Sequence, residues 1–419
     1  MQTEEMSMKS KIIYIVFVCF ITLLIWLGDE GHRPLAYTGS ELLHSVGLID
    51  SEYGLVIREA VSRNGAVANT PQYVMNKGSY TATLRYRAEA EDSVLELWEQ
   101  GKKMAGWSID PSETEMTVDF TLPKDMKQLQ LRVNYSGKGE LTVQELEIRP
   151  YTLFYSDSYF FMLLFLSCSL LLWWYLQGGS ARFSREQIVD WGVILGVALL
   201  ATTPMMQTYL YNGDDLCYHL ARLEGLKDGI LDGQIPVNIQ PDGLKGNGYL
   251  NTMYPYLFLY IGAFLRICRV SLGLSYKVLI FLANLASAVC AYTAVKSMCR
   301  SRRSVILAVV LYTLMPYRFT NIFSRGDLGE TLALIFWPLI IAGLYHVILG
   351  ERGRWYYLVI GFSGVLQSHI LSAAFAAVIC LITALVWCVR IVKEKRYIEI
   401  GKAAGITVLL NMWYMAPFV

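Results

Sequence analysis

Apolar positions along this chain fall into two contrasting patterns. Near-continuous apolar runs cover residues 12–27, 153–176 and 188 to about 211, and then, in close succession, 251–270, 276–298, 304–322, 330–349, 356–370, 371–391 and 403–419. Runs of roughly 18 or more apolar residues with few charges are long enough to cross a bilayer, so these predict membrane spans. Between the first two runs the period changes to two: YTATLRYRA (80–88), SVLELWEQ (93–100), EMTVDFTL (115–122), QLQLRVNY (128–135) and ELTVQELEI (140–148). Alternation at this spacing, broken by Asp110-Pro111 and by Ser136-Gly137-Lys138-Gly139, predicts an antiparallel β-sandwich.

The expected fold class is a polytopic α-helical membrane protein carrying an inserted extracytoplasmic β-sandwich. Residues 1–28 form an N-terminal anchor helix, 29–150 the sandwich, 151–187 a transmembrane helix with a cytoplasmic loop, and 188–419 a multi-span module. Lys9 and Lys11 precede the first run without a small-x-small cleavage site directly after it, which favours an uncleaved anchor over a signal peptide. The sandwich has the layout of jelly-roll modules that often bind carbohydrate. Trp98, Trp107, Tyr86 and Tyr135 are the aromatic candidates for stacking on sugar rings, with core packing the favoured use for most of them. The chain ends inside an apolar stretch, LLNMWYMAPFV, and reads as a fragment of something longer.

Basic residues orient the helices. Clusters in GGSARFSREQ (178–187), CRSRR (299–303), GERGR (350–354) and VRIVKEKR (389–396) are expected in the cytoplasm. TNIFSRGDLGE (320–330) and QSHI (367–370) then face outside. Strict alternation from residue 250 opposes this, so 251–270 is read as a re-entrant or tilted segment returning outward near Gly273.

The chemistry concentrates between Tyr211 and Pro255. Asp214 and Asp215 are placed where the preceding helix leaves the membrane, and charge at that depth is costly and usually tied to a site. The competing use is a helix N-cap, for which Asp is favoured. An amphipathic helix follows, with Leu216, Leu220, Leu223, Leu226 and Ile230 at helical spacing and His219, Arg222, Lys227 and Asp228 between them. A Gly- and Pro-rich loop then runs to Tyr254-Pro255.

Composition narrows the function classes. The 419 residues are 54% hydrophobic and 17% charged with net charge +1, which gives no electrostatic footprint for nucleic acid. Eight cysteines lie mostly in or beside apolar runs, and none forms a CxxC pair. They read as apolar fillers rather than a metal or disulfide framework.

With that topology, polar clusters share one membrane face: Asp214 and Asp215; His219 and Arg222; Arg318, Arg325, Asp327 and Glu330; Gln367 and His369. Asp214 and Asp215 are candidate catalytic residues, as general base to a hydroxyl. Asp215, Asp327 and Glu330 are candidate oxygen ligands to a divalent cation, Mg²⁺ or Mn²⁺. His219, Arg222, Arg318, Arg325, Gln367 and His369 are candidate substrate contacts, the arginines suiting a phosphate or diphosphate carried on a lipid. Each has a plainer use: Asp327 or Glu330 pairing with Arg325, Arg318 snorkelling, His369 bonding freed carbonyls.

The segments NGDDLCYHLARLEGLKDGILDGQIPV, GNGYLNTMYPYLFLYIGAFL and PYRFTNIFSRGDLGETLALIFWPL resemble bacterial polytopic membrane proteins labelled as the 6-pyruvoyl-tetrahydropterin synthase-related membrane domain family. Nothing in the chain suggests pterin chemistry. That family in turn resembles GT-C glycosyltransferases of the teichoic-acid-decorating type, over about residues 190–419. The resemblance implies a GT-C-like fold, a polyprenyl-phosphate sugar donor, an envelope glycan acceptor and an active site facing outside the plasma membrane. It places the outer-loop acid at Asp214 or Asp215 and the second acidic position at Asp327 and Glu330. The anchor and sandwich depart from the pattern. A transporter or flippase for lipid-linked glycans, and an assembly protein, are the alternatives.

Overall fold

The computed structural model describes residues 35–150 and 184–416 except 51, 59–64, 206–208, 212, 241–248 and 252–253, together with isolated positions Val16, Val18, Cys19, Leu166 and Ser169. The expected anchor, the span over 153–176 and most of the loop 178–187 lie outside the described residues. The chain forms two compact units.

The first unit is β-rich. Its strands are β1 (Leu35–Thr38), β2 (Leu43–His44), β3 (Leu48–Asp50), β4 (Gly54–Arg58), β5 (Gly65–Asn69), β6 (Tyr73–Met75), β7 (Gly78–Ala88), β8 (Val94–Glu99), β9 (Lys102–Ser108), β10 (Glu115–Leu122), β11 (Met126–Tyr135), β12 (Glu140–Pro150) and β13 (Tyr209–Tyr211). One sheet runs β10-β7-β12-β4-β3 with β1 on β12; the other runs β13-β6-β11-β5-β2 with β8 on β11 and β9 on β8. The described pairings are antiparallel, as the sequence pattern predicts. Period-two alternation builds the sandwich: along β7, Tyr80, Ala82, Leu84 and Tyr86 are buried while the residues between them turn away. Leu55, Ile57 and Leu84 from one sheet share a core with Val67, Leu95 and Leu131 from the other. The strands missing from the sequence reading are mostly two to five residues long, too short to display a period.

Core packing is the use most of the aromatic candidates take, and one expectation is corrected in this unit. Tyr86 and Tyr135 are core residues whose hydroxyls donate to the carbonyls of Asp110 (2.9 Å) and Gly139 (2.6 Å), so neither is open to a sugar. The Trp98 ring is covered by the Arg132 guanidinium at 4.3 Å and its indole N–H donates to Glu96, while Trp107 packs against the core beside Phe120. The correction is β13. The span expected to reach Tyr211 stops at Met205. Pro204, in a tight turn over Thr203–Met205, offers no backbone N–H to continue the helix. Tyr209–Tyr211 then pairs with β6, so the sandwich extends beyond the expected 29–150.

The second unit is helical: α1 (Arg185–Thr202), α2 (Leu216–Leu231), α3 (Leu259–Ile267), α4 (Leu272–Met298), α5 (Arg302–Thr313), α6 (Pro316–Phe319), a π-helical turn (Thr320–Arg325), α7 (Leu328–Ala333), α8 (Trp337–Ile348), α9 (Tyr356–Leu366), α10 (Ile370–Val386), α11 (Cys388–Lys393) and α12 (Tyr397–Met415). A two-stranded ribbon, β14 (Ile239–Gln240) and β15 (Tyr249–Leu250), follows α2. Among the described residues four helical stretches are long and apolar enough to cross a membrane: Glu186–Met205, Leu272–Met298, Arg302–Arg325 and Leu328–Ile348.

Apolar side chains on α1, α4 and α5 pack together around Ile194, Ala291 and Val309. Those on the outer faces, such as Leu311, Ile341, Phe375 and Leu381, stay exposed. A helix apolar on all sides suits a lipid surround. The expected spans 356–370 and 371–391 are helices of 11 and 17 residues, and α12 begins at Tyr397, taking in Glu399 and Lys402, rather than at 403. Segment 251–270 contains the nine-residue α3, about 14 Å long and too short to cross.

Candidate functional site

The site forms where the chain before α2 meets the chain before α7. The π-helical turn ends at Gly326, whose φ of +68° is left-handed and whose Cβ, if present, would strike Leu216. Only glycine meets both conditions without strain. Beyond it the Asp327 N–H donates to the Asn321 carbonyl (3.0 Å), and the Asp215 N–H donates to the Arg325 carbonyl (2.8 Å). That second bond ties the two acidic motifs together.

Asp327 is the N-cap of α7: Oδ1 accepts from the Glu330 N–H at 3.0 Å. Its Oδ2 accepts from Arg325 Nη2 at 3.0 Å, and Arg325 Nη1 also donates to Glu330 Oε2 (2.8 Å) and Asn321 Oδ1 (2.7 Å). The Tyr317 hydroxyl donates to the other Glu330 oxygen. Arg325 thus sits in a fork of two carboxylates and an amide, its side chain 37% exposed. A charge held in planar, bidentate fashion is fixed in direction as well as place.

His219 faces Asp327 from α2, with Nε2 3.6 Å from Oδ1. Burial pulls the imidazole below its usual range despite the neighbouring carboxylate, leaving it neutral at neutral pH. Burial would raise the Asp327 pKa, but the His219 contact and the Glu330 N–H outweigh it and bring it down to about 2. Tyr254 packs edge-on against His219 (5.6 Å between centroids) and lies 5.8 Å from the His369 ring. Burial pushes its hydroxyl well above the usual phenol range, so it remains protonated.

The structure brings Asp215, His219, Arg325, Asp327, Glu330 and His369 into one neighbourhood. Asp214 stands exposed beside them and Asp215 is half-buried. Asp215 occupies the N-cap position of α2, yet its side chain makes no capping hydrogen bond, which removes the plainer use for that carboxylate. His369 caps α10, its ring nitrogen accepting from Ser372.

Other candidates lie deeper in the helical unit. Arg222 is buried on the packed face of α2, donating to the carbonyls of Tyr254 (3.1 Å) and Pro255 (2.7 Å) with its guanidinium 4.3 Å over the Tyr254 ring. It holds the backbone of the Tyr254–Pro255 step. Arg318 is wholly buried and donates to Asn284 on α4 (2.8 Å), which in turn donates to Thr202 on α1 (3.0 Å). Gln367 donates to Asn411 on α12 (2.8 Å). These two link helices.

Among the described residues no group of three or more His, Cys, Asp or Glu is placed to hold an ion. Arg325 already pairs with both Asp327 and Glu330. Tyr317 and Asn321 were absent from the sequence reading. Asn321 had a signal, standing four residues before Arg325 on one helical face; Tyr317 had none.

No family model matches the chain. An uncharacterized protein of Lactococcus lactis subsp. cremoris (strain MG1363) is 25% identical over 198 residues, 46% of this chain and 32% of the relative. The chain therefore matches about a third of that relative's length. Among solved structures, the module BiXyn10A CBM1 is similar at 12% identity and a TM-score of 0.22, covering 27% of this chain and 95% of the module. A carbohydrate-binding module from Cellvibrio mixtus lichenase 5A is similar at 15% identity and a TM-score of 0.20, covering 28% of this chain and 97% of its own.

Proposed function

We propose that the helical part is a GT-C-like membrane glycosyltransferase of a bacterial plasma membrane, transferring a sugar from a polyprenyl-phosphate donor to an envelope glycan on the outer face. The observation that carries this reading is the bond from Asp215 N–H to the Arg325 carbonyl (2.8 Å). It joins the backbone of Asp215, whose carboxylate makes no capping bond, to that of Arg325, next to helices apolar enough to cross a membrane. Motif resemblance to the pterin-synthase-related membrane family supports the same reading.

The roles follow from exposure and partners. Asp327, ionised down to about pH 2, is a poor base and serves to orient Arg325. Glu330, Asn321 and Tyr317 complete that support. Asp214 or Asp215 takes the proton from the acceptor hydroxyl as its oxygen bonds to the anomeric carbon. The bond from that carbon to the phosphate oxygen breaks, and the electron pair leaves on the polyprenyl phosphate, whose charge Arg325 faces.

The test is transfer from a polyprenyl-phosphate sugar by membranes carrying Asp214→Asn or Asp215→Asn. Expression and melting temperature should stay near wild type, because Asn keeps the shape. At least one variant should lose on the order of a hundred- to ten-thousand-fold in rate. Wild-type transfer by both would overturn the reading.

The transporter reading has one observation in its favour. Arg318 is fully buried within a candidate span with Asn284 beside it, and ionisable groups inside membranes often mark substrate paths. It would move to first place on that negative result.

A further inference from the structure

At the other end of the Arg302–Arg325 span lies a cavity of about 370 Å³, where the N-termini of α1 and α5 meet the C-terminus of α4. Its lining includes Glu186, Asp190, Tyr292, Lys296, Arg300 and Arg302. Asp190, 5% exposed, accepts from Arg302 Nε at 2.8 Å and from the Tyr292 hydroxyl at 2.8 Å. Arg302 also donates to the Glu186 carbonyl at 3.2 Å. Arg302, Asp190 and Tyr292 thus make a fixed frame across three helices. Lys296 Nζ leans on that frame through the Tyr292 hydroxyl (2.8 Å). Among the described residues neither Lys296 nor Arg300 forms an ion pair, and both are exposed.

The charges do not balance. Lys296, Arg300 and Arg302 face Asp190 and Glu186, and the amide-rich start of α5 adds positive potential. A further cation, Arg303, follows in the first turn of α5, where a helix dipole favours anions instead. Such a concentration of positive charge at a helix start is costly unless an anion answers it.

The position says which anion. Three of the four membrane-capable stretches, Glu186–Met205, Leu272–Met298 and Arg302–Arg325, end at this cavity. The 27 residues of α4 extend about 40 Å, beyond a hydrocarbon core of about 30 Å. The cavity therefore falls at headgroup level, where basic pockets between helices meet acidic phospholipids. We infer that this cavity binds the phosphate of an anionic membrane phospholipid, with Lys296 and Arg300 as its cationic contacts and Arg302–Asp190–Tyr292 as the frame that holds them apart.

Cys299, which also lines the cavity, provides the readout. The full chain is placed in nanodiscs of phosphatidylcholine alone or with phosphatidylglycerol. Alkylation of Cys299 by neutral N-ethylmaleimide is followed by peptide mass spectrometry, with exposed Cys388 as the reference in the same digest. Phosphatidylglycerol should slow Cys299 relative to Cys388. The phosphatidylglycerol concentration for half protection should rise about fivefold for each of Lys296→Gln and Arg300→Gln. Equal Cys299 rates in both discs, or protection unchanged in the double variant, would overturn the site. Protection by inorganic phosphate in phosphatidylcholine discs would overturn the lipid assignment in favour of a soluble phosphate. None of these readouts depends on sugar transfer.

Discussion

Asp327 caps α7, anchors Arg325 and faces His219. Its folded pKa is depressed, to about 2, so its contribution to stability is present above the unfolded value of about 4 and is lost as pH falls through the folded one. The size is on the order of 2 kcal/mol for a shift of this kind. Asp327→Asn keeps a capping oxygen for the Glu330 N–H but loses the charge. The variant should melt below wild type at pH 7, and the gap should close between about pH 4 and pH 2; a gap that does not change with pH would show that the His219 contact and the Glu330 N–H do not favour the ionised carboxylate. At this scale the sequence was partly legible. That Asp327 and Glu330 pair with Arg325 follows from their spacing, two and five residues on. That Arg222 and Arg318 serve backbone and helix contacts does not, because burial of a long side chain is decided by what packs over it.

The apolar spacing in α2 correctly predicts a helix with Leu216, Leu220, Leu223 and Leu226 inside. The polar residues between them divide unexpectedly: Lys227 and Asp228 stay near the surface and pair with each other (3.0 Å), whereas His219 and Arg222 join the buried face. A second element explains why. Tyr254 packs over both residues, and α7 closes on Tyr254 through Gly329, where a Cβ would stand 2.1 Å from the tyrosine hydroxyl. Gly329→Ala should therefore lower the melting temperature, consistent with overpacking costs of about 1–3 kcal/mol. Adding Tyr254→Phe, which removes the opposing oxygen but leaves Cε1 and Cζ 2.8 Å away, should recover part of the loss. An unshifted melt for Gly329→Ala, or no recovery in the double variant, would show that this contact is loose.

Across the whole molecule, the β-rich unit gathers its last strand from beyond the first candidate span. Residues 29–150 expressed alone should give β-type circular dichroism and a cooperative melt. Appending Tyr209–Tyr211 through a flexible linker should raise the midpoint by several degrees, because it pairs the open β6 edge and returns the buried Tyr209 ring to its edge-on contact with Tyr73 at 5.5 Å. Equal midpoints would mean that β13 adds no stability. The sequence by itself determined the two-part architecture, a period-two domain followed by apolar helices, because periodicity and run length are local properties of the chain. It also determined which loops carry acid and which carry base. Only the tertiary structure decided that Tyr209–Tyr211 is strand and not helix, and that the Asp215 side chain leaves its cap unused. Each depends on a hydrogen-bond partner supplied by a distant segment, and the choice among partners is made by packing, which no local pattern records.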